Sequence, residues 1–390
     1  MTATAPSVST YLDAIQSIAP IVESGADEAE RLGRLTDPVI EAFHQSRLLR
    51  VLFPERLGGG GLRFPEAMRL SEAMARVDGS AGWCLTIGIG CGVIGAWLPP
   101  ASFEELASDP RAVLCGTLNP LSIRAVASGS GYQYSGKGTY ASGLFYATHV
   151  LLNGIVFDGD TPRTSGPMPE IRSAIVPRAR VQSLDTWSVS GLRATGSTDF
   201  AFEGIDVEER WTFLGAEGRH YDGGRRGTHD LMSSLGPGLS AVGLGIARHA
   251  LDIVSAVAGQ KMSLATLGST REKPAAQIAI GRAEGLLMGA RALVYEVAHE
   301  MAALEAADEP LTMEQRARNR VAAITSAQMA AEATDLAWEI AGGASIFTGT
   351  GLERCWRDIH AFTQHTLFDP GRFQTAGRIY LGLPPGSPTV

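Results

Sequence analysis

Residues 185–207 read DTWSVSGLRATGSTDFAFEGIDV, a segment dense in Ser, Thr and Gly that runs directly into an alternating apolar stretch from Phe200 to Val207. Small hydroxyl residues and glycine make turns, and period-two alternation makes a half-buried strand. The same texture recurs upstream. Ala112 to Leu118, Ile123 to Ala127, Tyr132 to Ser135, Val150 to Phe157 and Ile171 to Val176 are short β-branched, aromatic or alternating runs. Turn chemistry such as Ser128-Gly129-Ser130-Gly131 and Asp158-Gly159-Asp160 parts them. Together they predict an antiparallel β-domain and not a βαβ series.

Outward on both sides the period becomes helical. Ile15, Ile18, Ile21 and Val22, then Ile40, Phe43 and Leu48, mark amphipathic helices between Tyr11 and about Ala107, with breaks at Leu52-Phe53-Pro54 and at Gly58 to Gly61. The glycine run lacks the Lys-Ser/Thr that follows a phosphate-binding loop, so it reads as a turn. Beyond Gly227, Leu235, Leu239, Val242, Ile246, Ala250, Ile253 and Val257 step by three and four, as do Ala283, Leu287, Ala290, Val294, Val297, Met301 and Leu304. Thr312 with Gln315 forms a capping box for a third long helix reaching about Ile340. The expected fold is α+β: an N-terminal α-helical domain over 1–111, a β-barrel-like domain over 112–214 and a C-terminal four-helix bundle over 215–390.

Composition narrows the partners. Hydrophobic residues make up 45% and charged residues 19%, the balance of a large globular chain. The net charge of −8 disfavours nucleic acid, whose binding depends on clustered cations, and the basic pair Arg225-Arg226 reads as a solvated face. Cys84, Cys91, Cys115 and Cys355 form no CxxC pair, so neither a zinc site nor a disulfide framework is signalled and no metal is expected. The N-terminus has no signal-peptide pattern, and the apolar stretch Ala81 to Leu98 is glycine-rich, as suits a soluble core better than a bilayer. A cytoplasmic protein with no membrane association is expected.

Four ordered motifs then carry a resemblance: Phe53-Pro-Glu-Arg-Leu-Gly-Gly59, Val77-Asp-Gly-Ser-Ala-Gly-Trp83, Asp185 to Thr198 with its Gly-Leu-Arg-Ala-Thr-Gly-Ser core, and Ile340-Ala-Gly-Gly343 leading to Trp356-Arg-Asp-Ile-His360. The chain resembles the acyl-CoA dehydrogenase superfamily, and within it the two-component flavin-dependent monooxygenases. The resemblance implies a flavin between β-domain and bundle, in a dry cavity closed by a neighbouring subunit. It places Tyr140, Ala141, Ser142 and Gly143 beside the ring, with Thr195, Gly196 and Ser197, and it assigns Gly342 and Gly343 to cofactor binding. Small side chains and open backbone N–H groups suit such close approach.

Dehydrogenation needs a carboxylate to take the substrate's α-proton. The family's usual position for it, nine residues beyond Arg357, holds Thr366, and the earlier-helix alternative, Ala241 to Ile246 around Leu244, offers no acid. The same stretch carries His360 and His365, in RDIHAFTQHTLFDP. By resemblance His365 contacts a C4a-hydroperoxyflavin, Ser142 adds a hydroxyl contact, and either His360 or His365 faces the ring. An imidazole suits this chemistry because it donates or accepts near neutral pH. The implied reaction inserts one atom of O2 into a small organic substrate.

The substrate pocket departs from that of the aromatic hydroxylases. Gly138 stands where they carry Trp, Phe145 and Tyr146 where they carry an acid-His pair, and Cys91 where a His helps deprotonate a phenol. Cys91, Tyr146 and His360 are the candidate pocket residues, and an indole, polycyclic, sulfur or amine substrate is favoured over a phenol. Gly243-Leu-Gly245 lies within a helix, so no dinucleotide fingerprint is present. A separate NAD(P)H-flavin reductase must then supply FMNH2 or FADH2. The resemblance implies a homotetramer, and Gly285, Gly289 and Ala292 offer small-residue helix faces for contact. Two further readings remain: a dehydrogenase or oxidase with an unrecognised base, and a catalytically silent binding protein.

Overall fold

The computed structural model describes residues 7–387 apart from 167, 216–218, 222–224, 228–230, 261 and 264–267. Helices open the chain: α1 (Val8–Leu32), α2 (Asp37–Gln45), α3 (Phe64–Val77), α4 (Gly79–Ile94) and α5 (Pro100–Ser108). Ser7 caps α1 through the Thr10 N–H, and Gly33, at φ 66°, ends it in the left-handed conformation that favours glycine. The α4 helix is apolar on every face, because α3, α6 (Leu231–Gln260) and the sheet surround it.

A nine-stranded sheet follows. At its middle His149–Asp158 pairs antiparallel with Ile171–Pro177, and the long strands Gly131–Ala141 and Thr198–Glu208 pair from Ala141 opposite Thr198 to Gly131 opposite Glu208. The sheet is not wholly antiparallel as expected: Leu114–Gly116 and Ile123–Ser128 both lie parallel to His149–Asp158. The chain leaves Gly131–Ala141 and passes its hairpin partner before entering His149. His149–Asp158 therefore runs opposite to Gly131–Ala141 and in the same direction as Ile123–Ser128, the hairpin partner that separates the two. Short strands at Thr161–Pro162, Gln182–Ser183 and Thr212–Leu214 lacked a readable period.

The bundle comprises α6, α7 (Pro274–Ala307), α8 (Met313–Ala341) and α9 (Leu352–Thr363), with α10 (Phe373–Tyr380) against α8. The capping box of α8 forms as expected: the Gln315 N–H donates to Thr312 Oγ1 at 3.2 Å and the Thr312 N–H to Gln315 Oε1 at 2.8 Å. Leu239, Val242, Ile246, Leu287, Val294, Leu336 and Phe362 share one core with Met68, Ala75 and Trp83 of α3 and α4, so the terminal helical regions are fused through common packing. Gly79–Trp97 and Ser233–Ala258 are long and apolar enough to cross a membrane, and 72% and 56% of their most apolar windows are buried within the fold.

Gly243 and Gly245 serve helix packing. A Cβ on Gly243 would stand 2.6 Å from the Phe362 ring, and one on Gly245 would stand 2.4 Å from the Glu72 carbonyl of α3. The second contact is with backbone and cannot yield by rotamer change. Gly245→Val is therefore expected to cost about 3 kcal/mol, measured by urea unfolding.

Candidate active site

The site is built where α4, two stacked turns and the segment after α9 meet. Strand Gly131–Ala141 leaves the sheet through Tyr140 at φ 57°, followed by Ser142 and by Gly143 at φ 81°. The second turn carries Leu192 at φ 50° and Gly196 at φ 56°. The Gly143 N–H donates to the Thr195 carbonyl at 3.0 Å and locks the turns together. Positive φ is cheap at the glycines and strained at Tyr140 and Leu192, so surrounding contacts must hold both.

A buried hydroxyl chain runs through this junction. The Trp83 indole N–H donates to Ser142 Oγ at 2.9 Å, Ser142 lies 2.6 Å from Ser197 Oγ, and Ser197 lies 2.7 Å from Thr195 Oγ1. Thr195 donates to the Leu192 carbonyl at 2.9 Å. An indole N–H only donates and a carbonyl only accepts, so the ends fix the direction: Trp83 to Ser142 to Ser197 to Thr195 to Leu192. Ser142→Ala strands the Trp83 N–H in the core and breaks this run. A loss of about 2 kcal/mol is expected in chemical denaturation, and Trp83→Phe in the same chain should recover part of it.

His365 stands edge-on to Trp83, with ring centroids 5.5 Å apart, and Phe362 and Phe368 complete an aromatic wall. The Leu367 N–H donates to His365 Nδ1 at 3.3 Å, which puts the ring proton on Nε2. Nε2 has no hydrogen-bond partner among the described residues. Burial first, then the Arg372 cation, pushes the imidazole down to about 4, so it is neutral at physiological pH. Thr366, in the usual position of the dehydrogenase base, is exposed and accepts from Arg372 Nη2 at 3.2 Å, while Leu244 is fully buried.

The other expected residues distribute unevenly. Ala141 is buried, and Gly143 and Gly196 lie against Tyr146 and Phe145, where a Cβ would meet them at 2.6 and 2.8 Å. Tyr140 is 72% exposed and packs edge-on to Trp187. The open backbone N–H groups expected of these turns are largely taken: those of Ser142, Gly143 and Thr195 donate to Tyr140, Thr195 and Leu192. Tight turns satisfy their own amides, and the sequence does not show which ones remain. Tyr146 Oη donates to the Cys84 carbonyl at 3.4 Å, and Cys91 packs among the apolar residues beside Phe53. Burial pushes the Cys91 thiol up to about 12 and raises the Tyr146 phenol, so both are neutral.

His360 is not brought to this group. It faces α8, with Nε2 2.9 Å from Asp335 Oδ1, which also accepts from Trp356 Nε1. His360 projects about 100° round α9 from buried Ile359 and about 200° from buried Phe362, so it leaves the helix on a different face. Gly342 and Gly343 are exposed at the end of α8, close in sequence to exposed Ile346 and Phe347. Gly138 lies beneath Phe200, whose ring would be 2.1 Å from an added Cβ, so Phe200 fills the space expected for a tryptophan. Two cavities of about 20 Å³ each, one beside Asp78 and Asp358 and one between α6 and α8, lie outside this junction, and neither is the expected dry chamber.

Sequence reasoning missed Trp83 as a functional residue, although its motif was conspicuous, and it missed a pair of buried acids. The Asp358 carboxylate accepts from the Leu192 N–H at 2.6 Å and sits over the start of α4, where a Cβ on Gly79 would be 2.7 Å from Oδ2. Asp78 caps the same helix through the Ala81 N–H at 2.8 Å. Burial, then repulsion from Asp78, pushes Asp358 up to about 8. Asp358 thus ties α9, and through it the His365 segment, to the strained Leu192 turn.

Comparison with known proteins gives this geometry a family. Residues 14–98 match the acyl-CoA dehydrogenase N-terminal domain and residues 237–370 the acyl-CoA dehydrogenase C-terminal domain. An indole-3-acetate monooxygenase of Pseudomonas putida is 30% identical over 98% of this chain and 95% of its own. The chain belongs to the flavin-dependent monooxygenases of the acyl-CoA dehydrogenase fold.

Another member of these monooxygenases, the oxygenase subunit HsaA of Mycobacterium tuberculosis, is 28% identical over 98% of both chains. The structure of XiaF from Streptomyces sp. in complex with FADH2 and glycerol superposes with a TM-score of 0.91, at 21% identity and over 98% of both chains. The junction is chemically suited to a reduced flavin. The left-handed turns at Gly143 and Gly196 carry no Cβ of their own, the rings of Tyr140 and Trp187 pack edge to face beside them, and His365 presents one uncommitted N–H.

Proposed function

We propose that this chain is the oxygenase component of a two-component system that uses FMNH2 or FADH2 and O2 to oxygenate a small aromatic heterocycle. His365 carries the proposal: a neutral imidazole with one nitrogen tied to Leu367 and, among the described residues, its N–H uncommitted and no carboxylate beside it. When bound, reduced flavin supplies the electrons that activate O2. His365 donates a hydrogen bond from Nε2 where negative charge develops on oxygen, and neutrality lets it do so without a buried cation. Ser142 accepts from Trp83 and gives its one proton to Ser197, so it offers a fixed acceptor lone pair to the site, and Trp83, Phe362 and Phe368 exclude water. Tyr140, Ala141, Gly143, Thr195, Gly196 and Ser197 shape the flavin's seat.

The Cys91 thiol, held up to about 12, gives no base for a phenol, which supports a ring that reacts without prior ionisation. The relation to an indole-3-acetate monooxygenase supports the indole class. A separate NAD(P)H-flavin reductase supplies the cofactor, consistent with the designation of HsaA as an oxygenase subunit. The protein works in the cytoplasm as a homotetramer. Gly342 and Gly343, with exposed Ile346 and Phe347, serve a neighbouring subunit's flavin, and exposed Ile278 and Met288 on α7 lie at an interface.

Anaerobic protein mixed with reduced flavin and then with O2, followed by stopped-flow absorbance, tests this reading. The expected result is reoxidation with a resolved slow phase, and one atom of isotopically labelled O2 in the product. Reoxidation at the rate of free flavin would count against it.

A further inference from the structure

The α9 helix grips the turn below the hydroxyl chain at three successive residues. Arg357 Nη1 donates to the Ser190 carbonyl at 2.9 Å, and Gly191 lies so close to the Arg357 carbonyl that an added Cβ would stand 2.0 Å from it. The Leu192 N–H completes the grip by donating to Asp358 Oδ1 at 2.6 Å. The Leu192 carbonyl in turn accepts from the Thr195 N–H at 3.2 Å and from the Thr195 hydroxyl at 2.9 Å, so the grip passes into the chain that ends at Ser142. At its other end α9 runs to Thr363, and the His365 N–H bonds back to the Phe362 carbonyl at 3.1 Å. One helix therefore sets both sides of the site.

A grip made through a carboxyl group differs from one made through an amide, because it can acquire charge. Asp358 is 1% exposed, and among the described residues neither it nor Asp78 forms an ion pair. Arg357 forks onto Glu30 and Glu353, and Arg354 turns to Asp27 and Glu30. Asp78 of α4, Glu30 of α1, His249 of α6 and Arg354, Cys355 and Arg357 of α9 surround Asp358. Burial keeps the His249 imidazole and the Cys355 thiol neutral, so Asp78 is the nearest charge that an ionised Asp358 meets. A cavity of about 20 Å³ beside the two carboxyl groups gives them room to separate.

We propose that Asp358 is a positioning residue for the oxygenation reaction: through the Leu192 N–H it sets the Ser142–Ser197–Thr195 hydroxyls against His365, and its ionisation loosens that setting. The inference rests on the monooxygenase reading above and adds to it a residue that acts through Leu192 and α9. The first test needs no flavin. Protein labelled with 13C at histidine Cε1 is titrated by NMR, with the His365 resonance assigned by its loss in His365→Gln. Because the His365 imidazole titrates at about 4, its own protonation cannot move this resonance between pH 6 and 9. The wild-type resonance is expected to shift as pH rises through about 8, where Asp358 ionises, and to stay constant in Asp358→Asn.

Stopped-flow reoxidation, at a temperature where circular dichroism shows each chain folded, supplies the second test. Asp358→Ala should shorten the slow phase by about tenfold, as small displacements of reacting groups do, while reduced flavin binds within about threefold of wild type. Asp358→Asn retains an acceptor for Leu192 and should recover most of the lifetime, without the shortening that wild type shows above pH 8. In a His365→Ala background Asp358→Ala should add less than about twofold, because both changes act on one contact. A His365 resonance constant in wild type, or moving equally in Asp358→Asn, overturns the proposal, and so does a folded alanine variant with the wild-type lifetime. Absence of a slow phase in wild type instead overturns the monooxygenase reading, and the titration still decides whether Asp358 positions His365.

Discussion

His365→Ala shortens the slow phase of flavin reoxidation by about tenfold or more, equivalent to about 1.4 kcal/mol in the barrier. The variant keeps its fold, because the imidazole contributes one 3.3 Å hydrogen bond to Leu367 and an edge contact to Trp83. It loses the uncommitted N–H donor, and it leaves a gap through which water reaches the site. Both changes favour release of reduced oxygen without product, so stopped-flow lifetimes and product yield should fall together. His365→Gln retains a donor and should fall between wild type and alanine. With the imidazole at about 4, its protonation state is constant from pH 6 to 8, and any pH dependence there arises from other groups. An unchanged lifetime in His365→Ala would remove this residue from the chemistry.

The second large effect concerns Asp358. Its folded-state value of about 8 lies above the ordinary 3.8, so the folded protein holds the proton more tightly than the unfolded chain does. Its contribution to stability is complete below about pH 4 and is lost as pH rises toward and through 8. Each ionisation step there sets a second negative charge against buried Asp78, with His249 and Arg354 also lining the small cavity beside the pair. Asp358→Asn keeps an oxygen to accept the Leu192 N–H and removes the charge. The variant should lose less stability than wild type between pH 6 and 9, with an advantage on the order of 2 kcal/mol at the alkaline end. Parallel melting curves against pH provide the measurement, and coincident curves would show that Asp358 does not titrate in this window. Asp358→Ala should instead be destabilised throughout, because the Leu192 N–H is then orphaned.

These residues also show where the sequence stopped being informative. His365 and Ser142 are candidates in the sequence only through the family resemblance, which reserves the stretch after Arg357 and the strand end near Tyr140 for the site. Trp83 lies in an equally plain motif, but nothing in VDGSAGW reveals that its indole reaches a serine 59 positions away. Asp358 reads as half of an Arg-Asp pair on an amphipathic helix. Its partner Asp78 is 280 residues earlier, and their repulsion exists only once α4 and α9 pack. His360 and His365 are five residues apart, and the sequence leaves open which of them faces the ring. Helix geometry separates them: His360 projects from α9 toward Asp335, whereas His365 follows the helix end and turns back on Trp83.

The sequence by itself determined the α, β, α order, the longer strands, the capping of α8 and the presence of Thr366 and Leu244 at the positions that the resemblance reserves for a dehydrogenase base, because each depends on local period, turn chemistry or the identity of one residue. Tertiary structure alone decided the parallel pairing at His149–Asp158, the common core of α3, α4 and the bundle, and the hydroxyl chain from Trp83 to Leu192. Pairing direction, burial and hydrogen-bond satisfaction are properties of groups brought together from distant positions, and no local pattern in the chain encodes them.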